Sequence, residues 1–296
     1  MRFIHCADLH LDSKMTSNLS REQAKERKME ILRTYSRMID YAKENKIDGI
    51  IIAGDLFDTR NISATARNMV KDSIMSNPQI EFYYLKGNHD SDNFFSKLDD
   101  IPENLHLFNE EWKTYDCGSI SLSGIEIDST NESTLYNSLV LDNDKYNIVI
   151  MHGQIGQINL NAMKNKGIDY LALGHVHSFR QEKLDEQGIW CYSGCLEGRG
   201  FDECGTKGYV MLETVAQHLV PTFVLVAKRT LREVVIEVTE TYTEQEIMAQ
   251  IQGQLTEIPS QDLIKIVLKG QVSPECDLDL LWMKRKLESD YYFLKI

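Results

Sequence analysis

Five short apolar runs in this chain each stop abruptly at acids, amides or imidazoles, and that recurrence restricts the fold more than any other property. Ile50-Ile51-Ile52-Ala53 runs into Gly54-Asp55-Leu56-Phe57-Asp58. Residues 3–7 run into Asp8-Leu9-His10, 82–85 into Gly87-Asn88-His89-Asp90, 148–151 into His152, and 170–173 into Gly174-His175-Val176-His177. In an open α/β sheet, ligands collect beyond the carboxyl ends of the strands. Five such ends therefore describe one basin, not scattered polar residues.

The segments between the runs supply the rest of the architecture. Ile31, Leu32, Tyr35, Met38, Ile39 and Ala42 recur at three- and four-residue steps and predict a helix over 21–45. A second helix is expected near 64–75, ended by Asn77-Pro78. Strand and helix in alternation predict a parallel sheet. Residues 120–127 alternate strictly, which predicts a half-exposed strand. The runs at 190–192, 209–212 and 223–226 look alike and are read as part of a second sheet packed on the first. The expected fold is α/β, a four-layer αββα sandwich over residues 1–226. From 227 the pattern resets to strand 234–238, capped helix 243–255, strand 263–268, helix 278–287 and strand 291–294. That order predicts a small C-terminal β-α-β-α-β cap domain over 227–296, contacting substrate.

At 296 residues the chain is long enough for a full core and a smaller second domain. A net charge of -13 argues against a broad basic surface for nucleic acid, and bound divalent cations would offset part of it locally. The N-terminus enters a strand without the apolar core of a signal peptide, and no run reaches membrane-spanning length. The cysteines Cys6, Cys117, Cys191, Cys195, Cys204 and Cys276 follow no disulfide spacing, so reduced thiols in a cytoplasmic protein are expected. Cys191, Cys195 and Cys204 have neither a CxxC pair nor a fourth ligand, so a thiolate metal site is set aside.

The chemistry lies in the motifs taken together. Asp8 and His10 stand two residues apart, and so do His175 and His177; on an extended segment each pair faces one way and can chelate one ion. Asn88 adds a neutral oxygen and His152 a further nitrogen. The assignment is two sites sharing Asp55: Asp8, His10, Asp55 and His177 on one ion, Asp55, Asn88, His152 and His175 on the other. Oxygen and imidazole ligands without thiolate suit Mn²⁺, Fe²⁺ or Zn²⁺ better than a soft metal. Two ions held roughly 3.5–4 Å apart stabilise the attacking and leaving oxygens of an in-line displacement at phosphorus, with a bridging hydroxide as nucleophile. His89 is expected to face substrate as general acid or charge stabiliser, with Asp90 fixing its tautomer. His5, His106 and His218 follow no motif and are read as structural. Asp12 and Asp58 are read as loop acids or acids supporting the ligands.

The ordered set Asp8-x-His10, Gly54-Asp55-x-x-Asp58, Gly87-Asn88-His89-Asp90, His152-Gly153 and Gly174-His175-x-His177 resembles the calcineurin-like metallophosphoesterases. Within them the chain looks like the SbcD-type DNA repair exonucleases, on the Gly54–Asp58 motif, the segment 192–203 and the C-terminal cap. The resemblance implies a Mn²⁺-dependent DNA nuclease working beside an SbcC-type coiled-coil ATPase, and a homodimer through the two N-terminal helices. Thr59 stands where Ser/Thr phosphatases of the superfamily need an arginine, which directs the reading away from that branch. DNA contacts are expected from Arg199, Lys228, Arg229 and Arg232. The alternatives are a small-molecule or cyclic-nucleotide phosphodiesterase and a non-catalytic binding protein.

Overall fold

The structure is a computed structural model that describes residues 1–15, 19–58, 62–90, 94, 101–216 and 218–296; Thr59 lies outside them. In chain order the elements are β1 (Arg2–Cys6), α1 (Arg21–Glu44), β2 (Gly49–Ala53), α2 (Ala64–Met75), β3 (Glu81–Leu85), β4 (Leu105–Leu107), β5 (Lys113–Cys117) and β6 (Ile120–Gly124). There follow α3 (Leu135–Ser138), β7 (Tyr146–His152), α4 (Leu160–Met163), β8 (Tyr170–Gly174), β9 (Arg180–Lys183), β10 (Ile189–Tyr192), β11 (Gly208–Val215) and β12 (His218–Leu225). The last are β13 (Leu231–Val238), α5 (Glu244–Leu255), β14 (Leu263–Gly270), α6 (Leu280–Leu287) and β15 (Phe293–Lys295).

Helix α1 starts where its sequence dictates. Ser20 caps it in a reciprocal box with Gln23, worth about 1 kcal/mol, and the apolar stripe Ile31, Leu32, Tyr35, Met38, Ile39 and Ala42 is buried. That stripe packs with α2 residues Ala66, Val70 and Ile74 on Ile4, Cys6, Ile50 and Ile52 of the first sheet. The other face of that sheet, with Phe3, Ile51 and Tyr83, meets Ile120, Leu122, Ile148 and Ile150 of the second sheet. Val149, Met151, Leu171 and Leu173 then face α3 and α4. The order helix, sheet, sheet, helix is the four-layer sandwich, with short helices in its outer layer.

The first sheet runs β12-β11-β1-β2-β3-β4 and the second β5-β6-β7-β8-β10-β9. Strands β1 to β4 are parallel, as are β6, β7, β8 and β10, so their carboxyl ends emerge on one side of each sheet. Two expectations need correction. Runs 209–212 and 223–226 belong to the first sheet: β11 lies antiparallel on β1, with Phe3 opposite Leu212, and β12 lies outside it. The alternating run 120–127 ends as a strand at Gly124 and is buried on both faces. Its serines tolerate burial because Ser121 Oγ bonds Asn147 Oδ1 at 2.6 Å and Ser123 Oγ pairs with Thr114 Oγ1 at 2.7 Å.

Strands β13, β14 and β15 form a separate parallel sheet covered by α5 and α6, with its own core around Ile247, Ile251, Ile264 and Met283. A buried ionic cluster joins it to α1. Arg27 pairs with Glu30 and reaches Glu197 at 3.4 Å, Glu30 also takes Arg229 at 2.9 Å, and the Arg229 guanidinium lies 3.5 Å from the ring centre of Tyr292.

Candidate metal centre

The ligands expected from the motifs converge because each strand hands its next residues to the same rim. Asp8 N–H donates to Gly54 O and His10 N–H to Asp55 O, both at 3.0 Å, so the loops after β1 and β2 run side by side. Asp8 (φ 51°), His10 (φ 42°), Asp55 (φ 52°) and His175 (φ 101°) all adopt left-handed backbone that non-glycine residues rarely occupy. Glycines allow the loops to approach. A Cβ on Gly174 would lie 1.9 Å from Ala53 O, and one on Gly87 2.1 Å from Asp55 Oδ1.

Asp8, His10 and His177 bring ligand atoms within 4.8 Å of one another, and so do Asp8, Asp55 and His152. Asp55 Oδ2 stands 3.8 Å from His10 Nε2 and 3.5 Å from His152 Nε2, between the two groups. Asn88 Oδ1 lies 3.0 Å from both His152 Nε2 and His175 Nδ1, completing the second set. Asp8 also reaches the second group, so it stands nearer both sites than the sequence assignment gives. Its carboxylate accepts His175 N–H at 2.9 Å.

The tautomers follow from the outer partners. His152 Nδ1 donates to Ala53 O at 2.9 Å and His177 Nδ1 to Glu203 Oε1 at 2.6 Å, leaving Nε2 of each as a lone-pair donor aimed inward. His10 Nε2 meets His177 Nε2 at 3.1 Å. Converging acceptors of this kind require a cation or a shared proton between them, so the donor set fits divalent metal. Burial pushes the Asp8 carboxyl up to about 6, the Asp55 charge adding to it against the pull of His152 and His177. Burial also works against ionisation of Asp55, yet the bond and charge of His152 hold it below the usual carboxylate range.

His89 sits at the open side of the cluster with 47% of its side chain exposed, and its N–H donates to Asp55 Oδ1 at 2.8 Å. Asp90 does not hold its ring. The Asp90 carboxylate accepts N–H groups of Leu56 (3.2 Å), Phe57 (3.0 Å) and Gly87 (3.0 Å), tying the Asp55 loop to the Asn88 loop. The carboxylate near His89 is Asp58, with Oδ1 at 3.6 Å from Nδ1. Sequence reasoning gives Asp58 only a loop or supporting role, because a partner carried on a different loop leaves no spacing to read.

The basic residues nominated for DNA are turned to other uses. Arg199 pairs with Asp58 at 3.1 Å and Glu203 at 2.8 Å. Arg229 is 7% exposed and pairs with Glu26 and Glu30, while Lys228 takes Glu30 at 3.1 Å and Arg232 takes Asp262 at 2.7 Å. All four nominated cations are thus held by carboxylates of the same chain. His5 is a core residue bonded to Tyr170 Oη at 2.8 Å, and burial pushes its imidazole down to about 3. His106 pairs with Glu81 and stacks on Tyr83.

A sandwich that gathers imidazoles, carboxylates and one amide beyond its strand ends defines a class, the dimetal phosphoesterases. The chain belongs to the calcineurin-like phosphoesterase family, which matches residues 1–179. It is 29% identical over 235 residues to the uncharacterized metallophosphoesterase YhaO of Bacillus subtilis, covering 72% of this chain and 57% of that protein. It is 25% identical over 240 residues to the DNA double-strand break repair protein Mre11 of Saccharolobus solfataricus, covering 71% of this chain and 60% of the relative. To a component of the SbcCD nuclease of Staphylococcus epidermidis it is 26% identical over 258 residues, covering 72% of this chain and 66% of that one. Relatives of the Mre11 and SbcD kind thus agree with the motif resemblance at low identity, and the chain spans less than two thirds of each of these three.

Proposed function

We propose that this chain is a metal-dependent DNA nuclease acting in repair or end processing, with residues 1–226 as catalytic unit and 227–296 as a substrate-contacting cap. The observation that carries the phosphodiester chemistry is Asp55 Oδ2 standing between His10 Nε2 (3.8 Å) and His152 Nε2 (3.5 Å), a carboxylate placed to be shared by two metal sites. Asp8, His10, Asp55 and His177 would hold one ion, and Asp55, Asn88, His152 and His175 the other; the donor set suits Mn²⁺, Fe²⁺ or Zn²⁺, and the resemblance to SbcD-type nucleases points to Mn²⁺ among them. When bound, such a pair acidifies water and neutralises charge on a phosphoryl group.

The chain's own residues do the rest. Asp55 and the carbonyl of Ala53 fix the inner imidazoles, and the Asp90 carboxylate holds the two loops that carry Asp55 and Asn88 at a set distance. His89 Nδ1 lies on the Asp58 side, which leaves Nε2 to meet the leaving oxygen of a substrate and deliver a proton.

The preference for DNA rests on the relatives, since Mre11 is a DNA double-strand break repair protein and the staphylococcal relative is part of the SbcCD nuclease. An SbcC-type ATPase partner and a homodimer through α1 and α2 belong to the same proposal, as does a cytoplasmic setting. The six free cysteines fit the last, and among the described residues no helix is long and apolar enough to cross a membrane. Purified protein with Mn²⁺, offered end-labelled single-stranded DNA, duplex DNA and cyclic nucleotides in parallel, tests the reading. Metal-dependent DNA cleavage supports it; turnover of the cyclic nucleotides alone replaces it with the small-molecule phosphodiesterase, and no turnover with a non-catalytic binding protein.

A further inference from the structure

Arg199 is the residue whose placement the proposed reaction leaves unexplained. Its Nη1 donates to Asp58 Oδ1 at 3.1 Å and lies 3.5 Å from Ser13 Oγ. Its Nη2 and Nε donate to Glu203 Oε1 at 2.8 and 3.1 Å, and its own backbone N–H donates to Glu203 Oε2 at 2.7 Å. Its side chain is only 19% exposed, each guanidinium nitrogen faces a partner of the same chain, and Nη2 also lies 3.2 Å from His177 Nδ1, so the group is committed to this cluster.

Both carboxylates that Arg199 holds stand behind ligand imidazoles. Glu203 Oε1 takes His177 Nδ1 at 2.6 Å, and Asp58 Oδ1 stands 3.2 Å from His10 Nδ1. We propose that Arg199 is a positioning residue for the metal site of His10 and His177, acting through Asp58 and Glu203. The inference rests on the two-metal reading above. One planar fork links four separate loops, those after β1 (His10, Ser13), β2 (Asp58), β8 (His177) and β10 (Glu203). A carboxylate hydrogen-bonded behind a ligating imidazole fixes its tautomer and ring plane, as Glu203 does for His177. Asp58 faces His10 Nδ1 as a close charge without an aligned hydrogen bond, and one fork joins the two carboxylates. Lysine cannot do this, because a point charge with a flexible stem spans two carboxylates poorly.

The arrangement is selective for one site. The His152 ring is oriented by the backbone carbonyl of Ala53, and the His175 ring lies with Nδ1 3.0 Å from Asn88 Oδ1, neither through Arg199. Loss of Arg199 should therefore weaken one metal site and spare the other, which a general structural role would not do. Phe201, two residues on in the same loop, has its ring centre 6.0 Å from that of Phe293, with Lys295 over its ring.

The test is calorimetric titration of metal-free protein with Mn²⁺, with thermal unfolding followed on the same samples. Wild type is expected to take up two ions. Arg199→Met should keep one site at wild-type affinity and lose about 10- to 100-fold at the other. Glu203→Gln, nearly isosteric, should weaken the same site, and Arg199→Lys should restore only part of the loss. Should Arg199→Met fail to fold, Glu203→Gln decides. Two sites at wild-type affinity in the variants, or equal weakening of both sites alongside lower stability, overturns the inference. A wild type that binds fewer than two ions overturns the two-metal reading instead.

Discussion

The Nε2 atoms of His10 and His177 face each other across 3.1 Å, although their rings come from opposite sheets. Since His177 spends its Nδ1 proton on Glu203, its inward nitrogen is an acceptor, and either a proton on His10 Nε2 or a metal ion must stand between the two nitrogens. Divalent metal should therefore stabilise the folded chain. Binding at 100 times the dissociation constant contributes about 2.7 kcal/mol per ion. For a unit of this size that raises the melting temperature by about 5–10 °C. Differential scanning fluorimetry with Mn²⁺ against EDTA reads it, and coincident curves would remove the premise.

His89 and Asp90 should part company on mutation. His89→Asn is expected to lower kcat about 100- to 10,000-fold while metal affinity stays near wild type. Asp90→Asn puts an NH2 donor where a carboxylate oxygen accepted and so leaves backbone donors unpaired, because the carboxylate now serves Leu56, Phe57 and Gly87 N–H groups. It should cost about 1–3 kcal/mol of stability and loosen metal with it. Parallel kinetics and metal titration separate the two, and a purely kinetic defect in the Asp90 variant would return it to the side of His89.

Gly87→Ala should damage the centre without removing any ligand. The added methyl would come within 2.1 Å of Asp55 Oδ1 and 2.4 Å of its backbone nitrogen, displacing the one residue both sites share. Uptake of both ions should fall. Gly253→Ala, in open space on α5, is the control and should stabilise by about 1 kcal/mol. Metal analysis after dialysis distinguishes them.

Much of this centre is legible in the chain itself. Asp8, His10, Asp55, His152, His175 and His177 each follow closely on an apolar run, and parallel strands must end on one side. What stays hidden depends on contacts across loops. Arg199 reads as a surface cation until packing sets it between Asp58 and Glu203, though the Arg-Gly-Phe-Asp-Glu run offers an i,i+4 ion pair as a signal. Strand β11 goes to the wrong sheet on pattern alone because Tyr209–Leu212 carries the same apolar residues whichever sheet it joins, and only pairing with β1 decides. The serines of β6 mimic an exposed face because sequence does not show Thr114 and Asn147 waiting for them.

The ionic cluster under α1 gives a pH prediction. Burial opposes ionisation of Glu30, but the Arg27 charge and the bonds from Arg229 and Lys228 outweigh it and hold its carboxyl below the ordinary range. A lowered folded value means the stabilisation is complete above the unfolded carboxylate range and disappears as pH falls through the folded one. Glu30→Gln should cost about 3–5 kcal/mol at neutral pH, by stranding buried cations, and the gap to wild type should narrow in acid. Urea unfolding from pH 8 down to pH 3 checks the sign; a gap that widens on acidification refutes it.

The most direct measurement is low-temperature electron paramagnetic resonance of metal-free protein loaded with two equivalents of Mn²⁺. Two ions sharing the Asp55 carboxylate should give an exchange-coupled spectrum, and Asp55→Asn should abolish it. A six-line spectrum of isolated Mn²⁺ at full intensity in the wild type, or no uptake at all, would contradict the account.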